Sequence, residues 1–303
     1  MNKIFEEVEK IISPVYLVGG AVRDGLLGKE PSDVDFSTPL LPDEIERRVK
    51  AAGRKVNPIG KRFGTIMFGV DTGVPGVKFE QVEVTTFRSE KYTEGSRKPN
   101  VVFVSNIMHD LSRRDFTINA MAMKQDGKII DPFGGRDDIE NKILRYVGVP
   151  TTRIKEDPLR MLRLARFASQ FDFEVEETSF TRTMLHAHKI LSVSRERWGM
   201  ELDKLLLGEN VETGLDVLWL TRLMNFVIPE LAVQLHYDQN TPYHDFTLDE
   251  HTKKVVAATP LDINLRWAAL LHDVGKPFVR TERPDRSNYI KHELVGTELV
   301  KSI

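Results

Sequence analysis

The stretch "YLVGGAVRDGLLGKEPSDVDFST", residues 16–38, constrains the fold of this chain more than any other. A short apolar run over 15–18 reads as a strand, a Gly-Gly turn follows, and 21–27 reads as a helix. A second strand around 34–36 is flanked and joined by aspartates at 33 and 35. Strand, glycine turn and helix bring backbone N–H groups close to an anion, so the stretch suggests a phosphate site. Three kinds of site compete. A dinucleotide fold needs G-x-G-x-x-G, and no third glycine stands at the right step. A nucleoside-triphosphate loop needs G-x-x-x-x-G-K followed by Ser or Thr. Gly20, Gly25, Gly28 and Lys29 come close, but Glu30 follows instead. The third kind uses the aspartates for metal. Two residues apart on a strand, Asp33 and Asp35 project from one face. Paired carboxylates repel unless a cation joins them. Magnesium takes such oxygen ligands together with substrate phosphates. In two-metal sites the ions sit roughly 4 Å apart and clamp the attacking and leaving oxygens. Glu83, between Val82 and Val84 in the strand-like "VKFEQVEVTTFR" (77–88), offers a third carboxylate. The plainer alternative is that the aspartates cap a turn and Glu83 faces water.

The rest of the first 146 residues continues as a mixed α/β unit. A helix is expected over 42–53, with Pro42 near its start and Gly53 at its end. Strands are expected at 64–70 and 77–88 around a Gly/Pro turn. The polar segment 89–103 reads as a mobile loop. Strand signals fade after "DPFGG" (131–135), and from about Val149 the pattern is helical. One helix starts at Asp157 with Pro158 in its first turn; others are expected near 178–190, 195–207, 210–219, 248–258 and 264–272. The expected domains are 1–146, 147–225 and 226–303, and 303 residues suffice for two or three.

The absence of cysteine excludes disulfides and thiolate metal sites and fits a reducing, cytoplasmic setting. No run approaches the roughly 20 apolar residues of a membrane span. The Glu-rich amphipathic start reads as a helix and not as a targeting peptide. A net charge of −2 provides no global field for a polyanion, so any nucleic-acid contact must use local basic clusters. The chain stops at "KHELVGTELVKSI", inside an expected helix, which suggests that more of this domain exists elsewhere or has been lost.

G-G-A-V-R-D followed by D-x-D resembles the nucleotidyltransferases of the polymerase β superfamily. "RRDFTINAMA" (113–122), "DPFGG" and "EDPLRMLRLARFA" (156–168) narrow the resemblance to the class II tRNA nucleotidyltransferases, the bacterial CCA-adding enzymes and their poly(A) polymerase relatives. It runs in order from about residue 14 to 300. The resemblance implies an α+β fold: a polymerase-β-like nucleotidyltransferase head with a small mixed sheet, then an all-helical neck and body. It also implies template-independent addition of CCA to tRNA 3′ ends from CTP and ATP with Mg2+. Rival readings are a poly(A)-, CC- or A-adding polymerase, an HD-type phosphohydrolase with a non-catalytic RNA-binding head, and a purely RNA-binding protein.

The same resemblance suggests roles. The Gly19, Gly20 turn approaches the triphosphate, and Arg23 pairs with a phosphate oxygen. Asp33 and Asp35 hold magnesium. Glu83 helps activate the RNA 3′-hydroxyl for in-line attack on the α-phosphate. Asp115 and Asn119, i and i+4 at a helix start, share a face and hold a ribose hydroxyl, while Arg114 holds a phosphate. Asp157 and Arg160, i and i+3, serve as an amino-acid template. Cytosine and adenine both pair an amino donor with a ring-nitrogen acceptor, which a carboxylate and a guanidinium match. Uracil and guanine present the reverse and leave polar groups unpaired. Arg163 and Arg166, with Arg153 and Lys155, add local positive charge for RNA or triphosphate; a solvated or salt-bridged face is the equal alternative. "RERWGMELDKLL" (195–206) resembles a supporting helix in which Trp198 packs. The segment 89–103 matches a flexible family segment linked to the switch from C to A addition. "LLHDVGK" (270–276) and "KHELVG" (291–296) resemble an HD-type domain, with His251, His272 and Asp273 as possible divalent-metal ligands and His292 near them. A later aspartate of that pattern is not in this sequence.

Overall fold

The computed structural model describes residues 2–31, 33–71, 80–91, 100–242 and 245–303. The chain forms two compact units, Met1–Val149 and Pro150–Ile303. The first is mixed α/β and the second is helical, as the sequence pattern implies.

The first unit runs α1 (Asn2–Ile11), β1 (Tyr16–Val18), α2 (Gly20–Leu26), β2 (Asp35–Thr38), α3 (Pro42–Ala51), β3 (Val56–Asn57), β4 (Thr65–Val70) and β5 (Glu80–Thr86). Then come β6 (Arg88–Lys91), β7 (Asn100–Phe103), α4 (Ile107–Ser112), β8 (Ala122–Met123), β9 (Ile129–Ile130) and α5 (Gly135–Glu140). Seven strands form one sheet in the order β3-β4-β5-β2-β1-β8-β9. β2 and β5 are parallel; the other neighbours are antiparallel. Alternation decides which face is core. Ile66, Phe68, Val70, Val82, Val84 and Phe36 are buried with Phe5 and Val8 of α1, Ile12 just after it, and Ile45 and Val49 of α3. The intervening residues, Met67, Glu83 and Thr85, therefore project from the opposite face. Asp35 pairs in register with Glu83, so both carboxylates emerge from that second face, side by side.

Two expectations change here. β2 begins at Asp35, so Asp33 lies in a bend before the strand and not on it. The segment expected as a loop over 89–103 is flanked by an antiparallel hairpin, with Arg88 opposite Phe103 and Ser89 opposite Val102. The β-prone run Val101, Val102, Phe103 folds back on β6, a signal masked by the polar residues before it. Residues 92–99 and the expected turn over 72–79 lie outside the described residues.

The second unit comprises α6 (Pro150–Glu156), α7 (Arg160–Phe171), α8 (Glu177–His186), α9 (Arg195–Leu206), α10 (Val211–Leu220), α11 (Met224–Val227) and α12 (Pro229–Ala232). α13 (Leu248–Ala258), α14 (Ile263–Leu271) and α15 (His292–Val300) complete it. α7 packs against α9 and α10, burying Leu162, Ala165, Leu205, Leu215 and Leu218. Gly214 permits this close approach: a Cβ there would lie 2.6 Å from Ser169 Cβ and 2.9 Å from the Ala165 carbonyl oxygen. Trp219, fully inside, donates its indole N–H to the Leu231 carbonyl at 2.9 Å, so its burial leaves no orphan donor. A capping box, Thr247 with Glu250, starts α13. Among the described residues no helix is long and apolar enough to cross a membrane.

Candidate functional site

Gly19 follows β1 with φ +69, a conformation that suits glycine, and its N–H donates to the Met121 carbonyl at 3.2 Å. Its missing side chain is occupied space: a Cβ would sit 2.6 Å from Nη1 of Arg114. Gly20 opens α2 one turn before Arg23. Arg23 donates to Asp24 at 2.8 Å and to the Asn119 side-chain oxygen at 2.6 Å. Asn119 in turn donates to Asp115 at 3.1 Å, and Asp115 also accepts the Phe116 N–H at 2.8 Å. Arg23, Asn119 and Asp115 thus form one hydrogen-bonded chain beside the glycine turn. Asp115 and Asn119 come together as expected, but Asp115 precedes and Asn119 ends a 3-10 turn, Thr117–Asn119, and neither is at an α-helix start; α4 has already ended at Ser112.

Asp35 opens to solvent and Glu83 is half-buried beside it. Partial desolvation raises the Asp35 pKa most; Arg114 opposes this and Asp33 adds to it. Glu83 is raised by desolvation first, then by Asp35 and Asp33. Asp35 and Glu83, each less ready to ionise because of the carboxylates beside it, form with Asp33 a site whose repulsion a bound cation relieves.

Asp110 is a residue that the sequence pattern does not single out. It is 0 % exposed on α4, yet ionised. Desolvation, the largest influence, is outweighed by Arg113 and Arg114, which hold its carboxyl below the usual range. Arg113 donates to it through Nε at 3.1 Å and Nη2 at 2.9 Å, and Arg114 through Nη2 at 3.4 Å. The spacing of an acid three and four residues before two arginines is the available signal. The "DPFGG" stretch acts locally, since Asp131 accepts the N–H groups of Gly135 and Arg136 at the start of α5, at 2.8 and 2.9 Å.

In the second unit the expected helix start at Asp157 moves to Arg160. Asp157 accepts the Leu159 N–H at 3.2 Å in a turn that separates α6 from α7. Its other oxygen accepts from Arg197 of α9 at 3.0 Å. Arg160 is buried and donates to Glu156 at 2.8 Å. Asp157 is thus held by a partner that no spacing announces, while Arg160 is held by Glu156, four residues before it. Arg166 pairs with buried Glu201 at 3.0 Å and stacks over Phe167 at 4.1 Å; Arg163 approaches Glu201 at 3.8 Å. These are the contacts of a salt-bridged face between α7 and α9. Trp198 of α9 is buried.

His251 of α13, with His272 and Asp273 at the end of α14, offers ligand atoms that all lie within 4.8 Å of one another. Nε2 of His251 and Nε2 of His272 are 3.2 Å apart. Asp273 meets His272 at 3.0 Å, Lys276 at 2.8 Å and His292 at 3.4 Å. Desolvation lowers the His272 pKa but Asp273 outweighs it, so the net shift is upward; Asp273 itself is held far below its ordinary value.

Residues 15–145 match the poly A polymerase head domain, and residues 172–235 match a domain described as the probable RNA and SrmB-binding site of polymerase A. The CCA-adding enzyme of Bacillus subtilis is 44% identical over 271 residues, covering 86% of this chain and 60% of that protein. The CCA-adding enzyme of Levilactobacillus brevis is 40% identical over 255 residues, covering 81% and 62%. This chain therefore spans about three fifths of the length of the curated relatives it matches. Among solved structures, the Bacillus stearothermophilus CCA-adding enzyme in complex with CTP aligns with TM-score 0.71 and 32% identity, over 99% of this chain and 66% of that one. A tRNA nucleotidyltransferase complexed with a primer tRNA and an incoming ATP analog aligns with TM-score 0.61 and 27% identity, over 85% and 70%.

Proposed function

This chain belongs to the class II tRNA nucleotidyltransferases, the CCA-adding enzymes and their poly(A) polymerase relatives, and from that footing we propose that it adds CCA to tRNA 3′ ends from CTP and ATP. The observation that carries the reading is the register of Asp35 against Glu83 on adjacent parallel strands, with Asp33 close enough to raise both pKa values. Asp33 and Asp35 would hold divalent metal, Mg2+ in our reading. All-oxygen donors fit that ion, and the mutual repulsion of the three acids favours a cation. The metal, when bound, neutralises charge on the triphosphate and on the attacking hydroxyl.

This chain's residues would do the rest. Gly20 and Arg23 would admit and pair with the triphosphate. Arg114 would hold a phosphate, and Asp115 with Asn119 a ribose hydroxyl. Glu83 would accept the proton of the RNA 3′-hydroxyl, which attacks the α-phosphate as pyrophosphate leaves. Asp157 and Arg160 would read the base, and Arg163 and Arg166, held by Glu201, would keep α7 in place. Catalysis of this kind consists mostly of positioning and charge neutralisation. The corresponding domains are a catalytic head over 1–146, a nucleotide-selecting neck over 147–225 and a body over 226–303, in a cytoplasmic protein.

The test uses labelled CTP and ATP with tRNA transcripts lacking CCA, CA or A. Extension of all three to CCA supports the reading. Extension of only one class, or by A alone without limit, assigns the chain to the CC-, A- or poly(A)-adding relatives. A second site is favoured by the convergence of His251, His272 and Asp273: we propose that they bind a divalent transition metal. Equilibrium dialysis with Mn2+ or Ni2+ should show one equivalent lost in His272→Ala. Equal binding by that variant counts against it.

A further inference from the structure

We propose that Asp110 is the positioning residue of the triphosphate site, acting through Arg114. The inference rests on the nucleotidyltransferase reading above and extends it to a residue that touches no substrate. Asp110 is completely buried, and its contacts include Arg114 and a residue of β2, the strand that carries Asp35. It accepts from Arg113 at 2.9 Å and from Arg114 at 3.4 Å. It accepts the backbone N–H of Arg88, where the β6, β7 hairpin leaves the sheet, at 3.3 Å. It also accepts from Ser37 at 3.4 Å, two residues beyond Asp35 on β2. A buried carboxylate is costly unless it is fully paired. Here the pairing fixes three elements around one point.

Arg114 shows what this fixing achieves. Nη2 is held by Asp110, while Nη1 lies in the space left open by Gly19 and faces the Asn119 carbonyl at 3.4 Å. The guanidinium is thereby set between the glycine turn and Asp35, whose ionisation it favours. A guanidinium has five N–H donors in a rigid fork, so holding Nη2 on Asp110 and Nη1 on the Asn119 carbonyl fixes the direction of the remaining N–H groups. The N–H groups not directed at Asp110 and Asn119 are where a phosphate oxygen would be received. Without Asp110 the arginine keeps its charge but loses its direction.

The role predicts a selective defect. CTP and CMP binding are measured by titration calorimetry with Mg2+ for the wild type, Asp110→Asn and Arg114→Lys, alongside kcat and KM for CTP. Asp110→Asn keeps the shape of the side chain and removes the charge. We expect CTP affinity to fall about 10- to 100-fold, the range of one charge-assisted contact, with CMP affinity changed less than about threefold. Arg114→Lys keeps the positive charge but cannot span Asp110 and Asn119 together, and should show the same selective loss. Because Arg114→Lys leaves the buried carboxylate in place, wild-type CTP affinity in it counts against the proposal even if Asp110→Asn does not fold. Equal losses for CTP and CMP, or an Arg114→Lys variant with wild-type CTP affinity, overturns the proposal. If the wild type binds neither nucleotide, the fault lies in the nucleotidyltransferase reading and not in Asp110.

Discussion

Replacing Asp35 by Asn should make the metal-free protein more stable while abolishing nucleotide addition. Adjacent strands stand about 4.8 Å apart, so the in-register carboxylates of Asp35 and Glu83 are separated by roughly 5 Å. Two unit charges at that distance repel by about 3 kcal/mol at an effective dielectric of 20. Both groups reach solvent, and Arg114 offsets part of the repulsion, so about 1 kcal/mol is the reasonable net value. The pH dependence follows from the direction of the shifts. Asp35 and Glu83 have folded pKa values raised above 3.8 and 4.5, so the fold binds their protons more tightly than the unfolded chain does. Their contribution is favourable below the unfolded pKa and is lost as pH rises through the folded values. Urea denaturation in EDTA at pH 8 should therefore show Asp35→Asn about 1 kcal/mol more stable than wild type, with the gain disappearing toward pH 4. Saturating Mg2+ should stabilise the wild type and not the variant. A variant that is destabilised at pH 8, or whose gain does not depend on pH, would refute repulsion as the dominant effect at this site.

Other expectations concern the second unit. Arg160→Ala should blur the choice of C and A over U and G, scored by misincorporation into tRNA lacking CCA; unchanged base choice counts against the template role. Arg197→Ala removes an exposed partner of Asp157 and should cost less than about 1 kcal/mol in denaturation, yet relax the same selection. Glu201→Gln leaves buried Arg166 without its counter-charge and should destabilise by about 3 kcal/mol, measured by urea unfolding. A loss under about 1 kcal/mol would mean that the pair is solvated in solution.

What is legible in the sequence is mostly local. Helix bounds agree within one or two residues where caps are explicit, as at Pro42 and at Thr247 before α13. Glu83 stands out because a carboxylate between two valines breaks an apolar strand, and the sheet places it beside Asp35. The two-residue spacing puts Asp33 on the strand as well, but pairing with β1 and β5 begins only at Asp35 and later residues. Glu156 stands four residues before Arg160, a local spacing that marks a pair, but Arg197 and Glu201 carry no mark of being partners. Arg197 and Glu201 meet their partners on α7 and before it only through helix packing, and no spacing in the chain announces that. Asp110 stays hidden although its spacing from Arg113 and Arg114 is local, because burial gives it its meaning and burial of an acid is not written in composition.

The most direct test of the account is incorporation of labelled CTP and ATP into tRNA lacking CCA, by the wild type and by the Asp33→Ala, Asp35→Ala double variant, in Mg2+. The account predicts that the wild type adds C, C and A and stops, and that the folded double variant adds nothing above background. Incorporation unchanged in the double variant would contradict it.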